Sequence, residues 1–123
     1  MLNAFQKSMF LATAFLPSIA MAAEIRSGIV DEARGVIVFD VVYAGGCKKH
    51  DFELDLQLCR ETFPVQCEAR LVDNTKDDYC EAIVSAQVEF SLKGEGLTDP
   101  YYSGGSLRIG GDNGSSVDLT LPQ

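Results

Sequence analysis

The chain has 123 residues, with ten Lys or Arg against eighteen Asp or Glu and a net charge of −8. That balance excludes binding to phosphate backbones and adhesion to anionic lipid, both of which need clustered cations. The acids are scattered rather than blocked, which suits solvated strand faces, and attraction to a basic partner is the other use of such acidity.

Residues 1–23 read as a secretory signal peptide. Lys7 is the positive n-region, Met9 to Leu16 the short apolar stretch, Pro17 and Ser18 its break, and Ala20-Met21-Ala22 the small-x-small cleavage signature. The apolar stretch is too short for a permanent anchor. No cysteine follows it to carry a lipid, so no stable membrane anchor is expected after cleavage. The expected location is periplasmic or secreted, in a bacterium. The remaining residues, 24–123, read as one domain with nine cations against eighteen acids.

That domain reads as all-β. Glu24 to Glu32 forms a first strand, and Ala33-Arg34-Gly35 a turn. Val36 to Tyr43 is β-branched and aromatic, broken only by Asp40, and reads as a central strand covered on both faces. From His50 to Leu58 the alternation is regular, with Phe52, Leu54, Leu56 and Leu58 on one face and Asp51, Glu53, Asp55 and Gln57 on the other. Val65 to Asp73 places Val65, Cys67, Ala69 and Leu71 together. Ile83 to Leu92 turns Val84, Ala86, Val88, Phe90 and Leu92 inward; a helix over Glu81 to Gln87 is the competing reading, since Ala and Glu form helices readily.

Lys93 to Gly105 is the longest irregular connection. Ser106 to Ile109 and Ser116 to Leu121 close the fold around a Gly110-Gly111-Asp112-Asn113-Gly114 hairpin turn. About seven short strands in about 100 residues predict a small antiparallel β-sandwich of immunoglobulin-like size. The absence of Trp removes the usual immunoglobulin core marker and leaves the topology open.

Four cysteines in an exported domain are most simply two disulfides, and three pairings exist. Cys59 and Cys67 bracket the turn between adjacent strands, so a local link is geometrically natural, which leaves Cys47 to join Cys80. The competing reading is a metal site, with Cys47-x-x-His50 as close ligands and a further cysteine completing a zinc or copper set. The two tight cysteine pairs of a structural zinc site are missing, and no cofactor is expected. The plainer role for His50, the only histidine, is a strand-start ring bonded to a loop carbonyl.

Catalysis has little to build on. Any Ser–His–Asp or Cys–His arrangement would have to use His50, and the chain lacks a Gly-x-Ser-x-Gly elbow. The acidic turns Asp73 to Asp78 and Gly111 to Gly114 could take calcium, but neither has EF-hand spacing and turn chemistry explains both.

The block Gly45-Gly46-Cys47-x-x-His50-x-Phe52-x-Leu54, followed by Asp78-x-Cys80-Glu81-Ala82, resembles a group of small exported bacterial proteins, some of them NigD-like. The resemblance covers about Val41 to Leu92. It implies a recurrent pair of cysteines at 47 and 80, with Cys59 and Cys67 as an added pair, and it carries no activity.

The function expected is a non-enzymatic exported binding or interaction domain. Its partner would be another protein, and an inhibitor-like role is the concrete version. The expected contact residues are Leu97, Tyr101 and Tyr102 on the Gly96 to Gly105 loop, and Phe63 on the turn that a Cys59–Cys67 link would rigidify. The alternative is an exported metal-binding protein using Cys47 and His50.

Overall fold

A computed structural model describes residues 23–123 of the chain. The signal-peptide reading of 1–23 lies almost wholly outside them. Seven strands run in chain order: β1 (Glu24–Asp31), β2 (Val36–Gly45), β3 (Phe52–Arg60), β4 (Gln66–Asp73), β5 (Ala82–Ser91), β6 (Ser106–Gly110) and β7 (Ser116–Thr120). They form two sheets, β1-β2-β5 and β3-β4-β6-β7, packed as an all-β sandwich. The segment from Ala82 to Gln87 is strand, because a helix there would turn Val84 and Val88 out of the common inner face.

The core is the set of side chains that alternation turns inward. Ile37, Phe39 and Val41 from β2 meet Leu71, Leu107 and Ile109 from the opposite sheet, all at 1% exposure or less. Phe39 and Phe90 pack edge to face with centroids 5.9 Å apart. Ala23 is also buried, and its carbonyl accepts the Asp112 N–H at 2.9 Å, so the packed core includes the residue before Glu24.

Three sequence expectations need correction. First, β2 is central but, among the described residues, covered on one face only. Val36, Val38 and Val42 point outward and are half-buried, shielded by neighbours in the same sheet rather than by another layer. Second, the sandwich is not wholly antiparallel. β4 and β6 pair in parallel, because the chain crosses to the other sheet as β5 before returning. Third, Leu58 does not share a face with Leu54 and Leu56. A bulge at Gln57 turns Leu58 outward beside Glu68, where it is 56% exposed, and turns Cys59 inward opposite Cys67. An extra residue in one strand is invisible to a period-two reading, since the apolar alternation continues through it.

The two ends of the sandwich differ. One gathers the Gly46 to Asp51 and Asn74 to Glu81 connections, the β6–β7 hairpin and the start of β1. The hairpin turn places Asn113 and Gly114 at φ of 56° and 70°, as its Asn-Gly pair predicts. The other end gathers the β1–β2 and β3–β4 turns, the long connection from Leu92 to Gly105 and the segment after β7. No helix among the described residues is long and apolar enough to cross a membrane.

Candidate functional site

At the first end the single histidine is locked between two carboxylates. His50 Nδ1 lies 2.5 Å from Asp73 Oδ2, and Nε2 lies 2.6 Å from Asp78 Oδ2. The three side chains are 3%, 3% and 4% exposed. The ring stacks on Tyr43 with centroids 4.2 Å apart. Burial works against the charged ring, but the two hydrogen-bonded carboxylates outweigh it and raise the His50 pKa above its usual 6.5. As an imidazolium, His50 donates from both nitrogens.

Asp78 organises the surrounding backbone. One of its oxygens accepts the N–H groups of Gly46 and Lys48, and the other those of Cys47 and Cys80. The His50 bond, reinforced by these N–H donors, holds its carboxyl down at about 2, against a usual 3.8. Gly45 makes the approach possible. A Cβ there would sit 2.6 Å from Asp78 Oδ2 and 2.8 Å from His50 Nε2. Asp73 in turn accepts the Thr75 N–H, and the Thr75 hydroxyl accepts that of Asp51. The acidic turn from Asp73 to Asp78 thus spends its two terminal carboxylates on His50.

Cys47 and Cys80 are bonded to each other beside this clamp, and Cys59 is bonded to Cys67 across β3 and β4. Cys47, Asp78 and Cys80 bring their ligand atoms within 4.8 Å of one another, the geometry of a small metal-binding group. Here the sulfurs are joined and the carboxylate is held by the imidazole and four N–H groups. His50 faces the carboxylates rather than Cys47. The Cys47 sulfur is oxidised and both His50 nitrogens are engaged, so this arrangement presents neither as a ligand. The expected bond from His50 to a loop carbonyl is replaced by two bonds to acids.

The opposite end holds the residues read as contacts, and the structure ties Tyr101 to the turn that carries Phe63 through Glu61. Phe63 stands fully exposed at the tip of the β3–β4 turn, whose base is closed by Cys59–Cys67. The Thr62 hydroxyl donates to the Pro64 carbonyl within that turn. Tyr101 sits on a single 3-10 turn, Pro100–Tyr102, capped by the Asp99 side chain, which accepts the Tyr101 N–H. Its ring is 45% exposed, and its hydroxyl donates to Glu61 Oε2 at 2.8 Å. This bond, more than burial, pushes the phenol pKa up. It also ties the long connection to the disulfide-closed turn.

Leu97 and Tyr102 play different parts from those expected. Leu97 is 5% exposed and belongs to the core; with Leu92 it floors a recess of about 300 Å³ walled by Pro100 and Pro122. Tyr102 is half-buried, packs on the core and meets the Tyr101 ring edge to face at 4.9 Å. An irregular connection carries no period from which inward and outward side chains could be told apart. Asp73, Asp78 and Glu61 escape a sequence reading as partners because nothing local distinguishes them among eighteen acids.

Comparison with protein-family models, with curated proteins and with solved structures returns no match.

Proposed function

We propose that this chain is a non-enzymatic binding module, exported to an oxidising compartment, whose contact surface is the Phe63–Tyr101 end of the sandwich. The observation that carries the reading is Phe63, a large apolar ring left in water at the tip of a turn that a disulfide closes and a tyrosine–glutamate bond braces. A turn held in shape before contact loses little backbone freedom on binding, so more of the burial of its ring goes into affinity. The adjoining recess, with Leu92, Leu97, Pro100 and Pro122, offers a partner side chain an apolar seat. Two disulfides fit an oxidising compartment and the leader read at 1–23.

The non-enzymatic part of the proposal rests on the histidine. Its ring is sealed and both its nitrogens are engaged, so it is a structural cation rather than a base facing substrate. The partner is expected to be another protein.

The test is photo-cross-linking. A photoreactive phenylalanine at position 63 should give a discrete protein adduct in the exported fraction, and Tyr101→Ala, with its fold checked by circular dichroism, should abolish it. No adduct from position 63, or an adduct indifferent to Tyr101→Ala, would defeat the reading.

A further inference from the structure

Each sheet has two edge strands, and the four are treated differently. β1 and β3 each carry a bulge, and β7 is only five residues long. β5 has none of these protections. It runs ten residues against β2 with no break in register, and contains no Pro, Lys or Arg. Natural sheets normally blunt such an edge, because its free N–H and C=O groups template another strand. Its one charge, Glu89, is already held by both terminal nitrogens of Arg34.

Among the described residues the flank beside β5 is also left open. On the far side β1 rests against β7, whereas β5 and β3 make no comparable contact. In consequence Val84, Ala86 and Val88 point inward yet stay half-exposed, and Leu56, inward on β3, is 38% exposed. Their β2 neighbours Phe39 and Val41 are sealed.

We propose that a second copy of this chain pairs with β5, antiparallel, about a two-fold axis at Ala86. The segment whose alternation fits the opening is β5 itself. In that register Val84 meets Val88 and Ala86 meets Ala86 on the inner face, while Ser85 meets Gln87 and Ile83 meets Glu89 on the outer face. No like charges stand opposite one another, the condition that defeats most self-pairing edges. The twofold contact is self-complementary and closed, so it stops at a dimer. Six strands then form one continuous sheet, and the half-covered residues of both flanks come together. The proposal does not depend on the Phe63 surface, which lies at the end of the sandwich rather than its side.

Sedimentation of the purified domain between about 1 and 500 µM tests it, since dimer population follows concentration. A dimer mass should emerge with rising concentration, and at lower concentration in high salt, because two acidic protomers repel until screened. Replacing both Ser85 and Gln87, exposed and outward, with Lys sets like charges opposite one another and should weaken association about tenfold or more. Those changes also lower the net negative charge, so a general charge effect would act in the opposite direction. A monomer at every concentration and salt would overturn the proposal. So would a dimer unmoved by the two lysines, or an association that salt weakens, which marks contact between opposite charges.

Discussion

His50 converts an isolated titratable residue into the tie of one end of the molecule, and its two partners set the pH dependence of stability. The folded pKa of His50 is raised above 6.5, so its contribution is fully present below that value and is lost as pH rises through the folded value. Asp78 is lowered from 3.8 to about 2, so its contribution is present above 3.8 and is lost as pH falls through about 2. Thermal melts should therefore peak between pH 3.8 and 6.5 and decline on the alkaline side. Replacing His50 with Ala leaves two buried carboxylates facing each other, and should cost about 3–5 kcal/mol, the usual penalty for breaking a buried pair. The variant should also lose the alkaline decline. A wild-type melting temperature flat from about pH 5 to 9 would contradict the clamp. The sequence marks His50 as the only histidine, and its neighbours as strand and turn, but not its partners. Asp73 and Asp78 become legible only when the turn after β4 folds back over the loop before β3.

At the scale of elements, most strands are readable because burial imposes alternation. Val65, Cys67, Ala69 and Leu71 point into the core as the period-two pattern requires. Hidden from that pattern is whatever breaks or crosses it: the bulge at Gln57, the parallel pairing of β4 with β6, and the inward turn of Leu97 from an irregular connection. Gly45, the last residue of β2, sits where the first end closes over Asp78. Gly45→Ala inserts a methyl into the space of the His50–Asp78 bond, and should lower the melting temperature and abolish most of its dependence on His50 titration. Calorimetry at about pH 5 and pH 8, on either side of the ordinary histidine range, reads both effects. A Gly45→Ala protein that melts like the wild type would show that the carboxylate can retreat, and that the close approach is not required.

For the whole molecule, the covalent links and the clamp divide the work between the two ends. Cys47–Cys80 spans 33 residues at the clamped end, and Cys59–Cys67 spans 8 at the Phe63–Tyr101 end. Through loop-closure entropy the long link contributes roughly 4 kcal/mol and the short one roughly 2.5 kcal/mol. Replacing Cys47 and Cys80 by Ser should thus destabilise the fold more than replacing Cys59 and Cys67. The second change should instead weaken partner contact, by releasing the turn that carries Phe63. Denaturant unfolding of the two variants, set beside cross-linking yield, separates the roles. Equal losses of stability with unchanged cross-linking from the Cys59 and Cys67 variant would remove the distinction.

Whether the Phe63–Tyr101 end is the contact surface is tested most directly by photo-cross-linking from two positions. The same photoreactive residue is placed at position 63, and in parallel at Tyr79, an aromatic 84% exposed on the Asn74 to Glu81 connection at the opposite end. A discrete protein adduct from position 63, absent from position 79 and lost with Tyr101→Ala, is the result expected. Adducts from position 79 alone, or from neither position, would contradict it.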